Sequence, residues 1–254
     1  MNSPKTIRLN HIFSQDKRAV VVAMDHGLPA MGPLGHLTHP GKLIQQIKAG
    51  GADAILTTPG IATHFAEHIG RLGLIVRLDG GATTLGDSFS EMRLIASVED
   101  ALRLGADAVA VMGFCGTEDE SASLETLGKV ATECRTLGMP LMAEMLPLGF
   151  MGKPSVQEVA YAARVGAELG ADIIKTKYVG SPEEYRAVTD MCFAPVLVLG
   201  GSARSADEVL VEIDDAITAG AAGVAIGRNV WQSDDVVAKT QAIVKTVHKE
   251  KQGE

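Results

Sequence analysis

Two lysines, Lys175 and Lys177, stand two residues apart in the run ADIIKTKYVG. The run is apolar and of strand length, so alternation puts Ile173, Lys175 and Lys177 on one face and Ile174 and Thr176 on the other. A lysine directed into an apolar interior is costly without a partner or a task. Burial and a second cation both disfavour the ammonium and favour the free amine, the form that attacks a carbonyl. The chemistry on offer is that of a nucleophilic amine. Spacing does not choose between the two lysines, and it also allows both to reach solvent from a loop.

Carboxylates close or occupy other short apolar runs. AVVVAMD ends in Asp25-His26-Gly27, PLMAEML carries Glu144 on the face of Met142 and Leu146, and LIVRLDG brings Asp79, followed by Thr83 and Thr84. A buried carboxylate needs a partner, and the two lysines are the partners open to Glu144. Asp25 can orient a substrate hydroxyl, pair with a lysine or cap the next segment. Asp79 and the threonines suit either a polyol or a turn. His26 reads as a structural or hydrogen-bonding residue rather than a catalyst.

The clearest physical signal is a pair of glycine segments, Gly200-Gly201-Ser202 in VLGGS and Gly227-Arg228-Asn229 in AIGRN. Glycines let backbone N–H groups approach an anion closely, and Arg228 adds charge. Together they predict a phosphate site. Other residues invite chemistry and are read as bland. His64-Phe65-Ala66-Glu67-His68 spells a zinc-protease pattern, but it falls where an outer helix is needed. His36 and His39 are polar loop histidines, Cys115 is a candidate pocket-lining thiol, and Trp231 is a packing residue beside the phosphate segment. No metal site is expected.

The elements that must position these residues recur along the whole chain. Strands are predicted at residues 19–25, 52–58, 74–80, 106–113, 140–146, 171–178, 195–201 and 223–229, with helical apolar spacing in most of the gaps. Eight nearly continuous apolar strands joined by helices describe a (β/α)8 barrel of parallel strands, and about 250 residues is its usual size. Three strands follow Gly-Ala-Asp at Gly51, Gly105 and Gly170, where glycine ends a helix and the strand begins at once. No linker or composition shift divides residues 1–254, so one domain is expected. An open doubly wound sheet is the competing architecture, weakened by the lack of GxGxxG after the first strand. In a barrel the site lies at the carboxyl ends of the strands, where the residues above fall, and the last two loops commonly hold phosphate.

Composition narrows the function further. The 254 residues are 46% hydrophobic with net charge −8 and no basic run, which argues against nucleic-acid partners. Cys115, Cys134 and Cys192 form neither a disulfide framework nor a CxxC site, which fits a reducing cytosol. No signal-peptide core and no membrane-spanning apolar run is present, so a cytoplasmic protein is expected.

In the combination MDHG, IIKTKY, VLGGS and AIGRN the sequence resembles the bacterial and archaeal class I aldolases of the DhnA type. That group is similar to archaeal fructose-bisphosphate aldolase, aminodideoxyheptulosonate synthase and the autoinducer-2 phosphate thiolase. The resemblance runs from about residue 20 to about residue 248. It implies a (β/α)8 barrel, a lysine Schiff base without metal or other cofactor, and a homo-oligomer, often a decamer. By position it makes Lys175 the Schiff-base residue and puts Asp25 near the reacting carbons. It gives the phosphate to Gly200, Gly201, Ser202, Gly227 and Arg228; from the residues themselves, Lys177 and Asp79 are further candidate substrate contacts. The family's YPRG segment reads Leu146-Pro147-Leu148-Gly149 here, so its tyrosine and arginine are missing. Glu144, two residues earlier on the same face, is the expected replacement for proton transfer. The expected reaction is reversible cleavage of a phosphorylated ketose to a ketone phosphate, such as dihydroxyacetone phosphate, and an aldehyde. Two alternatives stand beside it. One is a lysine-dependent thiolase acting on a phosphorylated diketone with coenzyme A, suggested by the missing tyrosine. The other is a sugar-phosphate-binding protein without catalysis.

Overall fold

Small and β-branched residues buried on both faces are what a closed parallel sheet demands of its strands. The computed structural model describes residues 3–27, 33–80, 83, 92–201 and 205–249. The eight runs form β1 (Ala19–Ala23), β2 (Ala54–Thr57), β3 (Gly73–Arg77), β4 (Ala108–Cys115), β5 (Leu141–Pro147), β6 (Ile173–Thr176), β7 (Val196–Leu199) and β8 (Gly223–Ile226). They close in the order β1-β8-β7-β6-β5-β4-β3-β2 with every neighbouring pair parallel, the expected (β/α)8 barrel. β6 ends at Thr176, so Lys177 lies beyond the strand. A short antiparallel ribbon, Asp79–Gly80 against Arg93–Leu94, follows β3 and was not expected from the sequence.

Alternation sorts the strand residues into two shells. Val21, Ala23, Leu56, Ile75, Ala110, Met142, Ile173, Leu197 and Ala225 fill the barrel interior, while Val20, Val22, Ile55, Val76 and Ile174 pack outward under the helices. Four of the outer helices open on Ser-x-x-Glu or Ser-x-x-Asp capping boxes, at Ser97, Ser155, Ser181 and Ser205. The serine accepts from the third helical N–H and the acid accepts from the serine's own N–H, which fixes where each crossover begins.

The Gly-Ala-Asp repeat proves to be a floor. Its glycines take positive φ, 85° at Gly51, 78° at Gly105 and 109° at Gly170. Each aspartate then accepts from the backbone of the preceding strand: Asp53 from Val20 N at 2.7 Å, Asp107 from Leu74 N at 2.9 Å, and Asp172 from Leu141 N at 2.9 Å. The N-terminal segment latches onto the same three carboxylates through Ser14, His11 and Lys5. Leu9, Ile12 and Phe13 of that segment pack against the barrel interior from below. Among the described residues no helix is long and apolar enough to cross a membrane.

Candidate active site

Followed towards the carboxyl ends, the inward-facing series turns from apolar to charged. Ala23 leads to Asp25, Ile75 to Arg77 and then Asp79, Met142 to Glu144, and Ile173 to Lys175. All five charged residues are buried, and they line one cavity of about 260 Å³ that opens at this end of the barrel. Glu144 and Lys175 are register partners on β5 and β6, which brings their side chains together. Lys175 Nζ lies 2.8 Å from Glu144 Oε1. Arg77 Nη2 donates to Glu144 Oε2, Arg77 Nε to Asp25 Oδ2 at 2.9 Å, and Arg77 Nη1 to Asp79 Oδ1 at 3.3 Å. The other Asp79 oxygen accepts from Met112 N at 2.6 Å.

Three carboxylates thus face two cations, and their environments separate them. Burial alone raises every carboxyl here, because it disfavours the charged form. At Asp25 the Arg77 guanidinium outweighs it, with His26 and Lys175 assisting, and holds this carboxyl well below the usual range. At Glu144 the attraction of Lys175, and then of Arg77, also prevails over burial and lowers it. At Asp79 burial wins over Arg77 and the Met112 N–H, and the carboxyl is raised. Arg77 itself is pushed further up by its three acids.

The loops after β7 and β8 border the same cavity with Gly200, Gly201, Gly227 and Arg228. Backbone crowding explains two of the glycines. A Cβ on Gly200 would stand 2.3 Å from Ile226 Cγ1, and one on Gly227 would stand 2.6 Å from His26 Cε1 and 2.8 Å from Ala23 O. Asn229 Nδ2 donates to Gly200 O at 2.6 Å and ties the two loops together. The Arg228 Nε is buried with no hydrogen-bond partner among the described residues. His26 rests edge-on against Trp231, with ring centroids 5.4 Å apart, and Trp231 Nε1 donates to Ala23 O at 3.1 Å. Trp231 is therefore the packing residue expected. It fixes the β1 end that carries Asp25.

Comparison with known proteins fits this geometry. The model for DeoC/LacD family aldolases matches residues 19–233. The chain belongs to that family. Among similar proteins is 2-amino-3,7-dideoxy-D-threo-hept-6-ulosonate synthase of Halobacterium salinarum, 40% identical over 96% of this chain and 91% of that protein. Another is 2-amino-4,5-dihydroxy-6-oxo-7-(phosphonooxy)heptanoate synthase of Streptomyces griseus, 35% identical over 97% of this chain and 92% of that protein. Among solved structures, an archaeal fructose-1,6-bisphosphate aldolase superposes with a TM-score of 0.87 and 30% identity, covering 96% of this chain and 99% of that one. Its catalytic lysine is described as covalently bound to the carbinolamine intermediate of the substrate. The chain is thus a class I aldolase-family enzyme, a carbon–carbon lyase.

Within this aldolase several sequence expectations meet a different arrangement. The cation beside Lys175 is Arg77, reached through the shared Glu144. Lys177, the expected neighbour, turns its amine to the carbonyls of Gly149, Phe150 and Gly152 at 3.2, 3.4 and 2.7 Å. Arg77 was missed altogether, although Ile75, Arg77 and Asp79 share one face by simple alternation and an arginine inside a buried strand is itself a signal. Ser202 and Thr84 lie outside the described residues. Cys115 is half-buried but does not line the cavity, and burial pushes its thiol up to about 11, away from reactivity. His64 and His68 sit on two short helices broken at Phe65, and His64 Nδ1 is 3.2 Å from Gly60 O.

Proposed function

We propose that this enzyme makes and cleaves a phosphorylated ketose through an imine at Lys175, with Glu144 as the proton carrier and Asp25 as a second carboxylate at the reacting carbons. The observation that carries the reading is the 2.8 Å contact between Lys175 Nζ and Glu144 Oε1 inside the cavity at the carboxyl ends of the strands. Lys175 attacks the ketone, water leaves, and the resulting iminium draws in the electrons of the bond between its α- and β-carbons while Glu144 or Asp25 takes the β-hydroxyl proton. An aldehyde departs, and protonation of the enamine at carbon followed by hydrolysis frees the ketone and Lys175. An ammonium and an iminium carry the same charge, so Glu144, Arg77 and Asp25 remain balanced before and after condensation. Between those states the nitrogen is neutral. The part of the attraction that comes from Lys175 is then gone while Arg77 still holds the other oxygen, so Glu144 becomes a stronger base at the moment protons must leave nitrogen.

Gly200, Gly201, Gly227 and Arg228 hold the phosphate in this reading, so that binding energy far from the bond being broken orients it. Arg77 touches no reacting atom and acts by positioning the two carboxylates. Asp79 anchors Arg77 and the β4 backbone, and Lys177 fixes the loop at the cavity mouth. The ketone in the names of the two synthases is the group that would meet Lys175 here.

Borohydride reduction in the presence of dihydroxyacetone phosphate, followed by intact-mass measurement and peptide mapping, tests the reading. A single adduct on Lys175 is expected, lost in Lys175→Ala. An adduct on another lysine, or none with any phosphorylated ketone, would overturn it. Coenzyme A-dependent turnover of a phosphorylated diketone with no aldehyde released would move the same lysine to acyl transfer.

A further inference from the structure

The cavity has two unlike ends, and barrel order sets them apart. In the ring β1-β8-β7-β6-β5-β4-β3-β2, the β7 and β8 ends face the β3 and β4 ends across the barrel, with Lys175 on β6 between. The β7 and β8 rim carries the glycines and Arg228. The opposite side gathers apolar side chains around the acids Asp79 and Glu144: Met92 follows β3, Met112 lies on β4, and Leu146, Phe150 and Met151 come from β5 and its loop. From these observations we propose that the far half of the cavity takes an uncharged aldehyde with an apolar chain, so that the aldol carries phosphate on its ketone fragment alone. The proposal rests on the imine reading above, which supplies the ketone end.

Charge accounting supports it. Besides Arg228, the cations lining the cavity among the described residues are Arg77, Lys175 and Lys177. Arg77 spends Nε, Nη1 and Nη2 on Asp25, Asp79 and Glu144. Lys175 is the nucleophile, and Lys177 directs its three hydrogens to three carbonyls. Among the described residues that line the cavity, none of these cations is left over for a second phosphate or a carboxylate on the far side. Asp79 and Glu144 line the same side and would repel either anion.

The apolar rim also has a reason to be where it is. Met151, which lines the cavity, is 91% exposed, while the Phe150 ring packs edge-on to Phe114 with centroids 5.3 Å apart. Apolar side chains gathered at a cavity mouth in water mark a surface that a ligand covers, and methionines adapt to chains of differing shape. The names of the two related synthases include an amino-acid end. The far rim described here is built for a different end group.

The test runs in the direction of synthesis with dihydroxyacetone phosphate as donor and a matched pair of four-carbon aldehydes, butanal and succinic semialdehyde, with glyceraldehyde 3-phosphate as a third. Butanal is expected to show a kcat/KM about tenfold or more above either anionic aldehyde. Met112→Lys, and separately Met151→Lys at the exposed mouth, are expected to reverse that order. Equal or better use of the anionic aldehydes, while borohydride still traps the donor on Lys175, would overturn this proposal and leave the imine reading intact. Failure of trapping would overturn both.

Discussion

Glu144 stands between two cations, with Oε1 2.8 Å from Lys175 Nζ and Oε2 accepting from Arg77 Nη2. Its strength as a base therefore follows the charge on Lys175. Glu144→Gln keeps the shape and removes that response. The expected outcome is a fall in kcat of about 100- to 10,000-fold with little change in KM for the phosphorylated ketone. Steady-state kinetics and the rate of borohydride trapping check it, and an unchanged kcat would remove Glu144 from the chemistry.

Arg77→Met would leave three buried carboxylates without their common cation. A loss of about 3–5 kcal/mol of stability is expected at neutral pH, with Arg77→Lys recovering part of it. The sign with pH follows from Asp25, whose folded carboxyl lies below its unfolded value. Its contribution is fully present above about pH 4 and is lost as pH falls through the folded value. Urea unfolding should accordingly show the gap between Arg77→Met and the parent narrowing in acid.

At the floor, His248 has Nδ1 2.9 Å from Asp16 Oδ2 and Nε2 3.0 Å from Asp53 Oδ2. The hydrogen bond to Asp53 raises it above its ordinary value, against the opposing effect of partial burial. A raised histidine stabilises fully below its unfolded value near pH 6.5 and loses that contribution as pH rises through the folded value. His248→Gln should therefore lower the urea midpoint more at pH 6 than at pH 8.5. A deficit independent of pH would assign His248 to packing alone.

Gly227→Ala would drive a methyl group into His26 and the Ala23 carbonyl. Overpacking of this kind costs about 1–3 kcal/mol. The backbone that should meet the phosphate moves with it, so KM for the phosphorylated ketone is expected to rise about tenfold while an unphosphorylated ketone is little affected. Parallel kinetics on the two ketones decide it.

The barrel was legible because parallel strands buried on both faces leave an unmistakable apolar run, and the carboxyl ends of β1, β3, β5 and β6 break that run with a charge. Alternation put Glu144 on the face of Met142 and Leu146, and the strand end exposed Asp25, but Lys175 and Lys177 share a face and only the family resemblance chose between them. Arg77 obeyed the same rule and was overlooked beside Asp79, since an arginine next to acids suggests a surface. What alternation could not supply was the occupation of Lys177, whose partners are backbone carbonyls in a loop, and these carry no side-chain signature. Nor could it show that the aspartate of Gly-Ala-Asp accepts from the neighbouring strand. That bond depends on stagger between strands, which a single run of letters does not record.

Lys177 follows the end of β6 by one residue and ties the loop at Gly149, Phe150 and Gly152 to it. Lys175 and the loop that brings Phe150 to the cavity therefore ride on one short length of backbone. A slip or tilt of β6 would carry the two together, leaving their spacing intact while changing their distance from Gly200 and Gly227. Length discrimination between substrates would then be adjusted by the outer helices that seat β6, with no change to any residue the substrate touches.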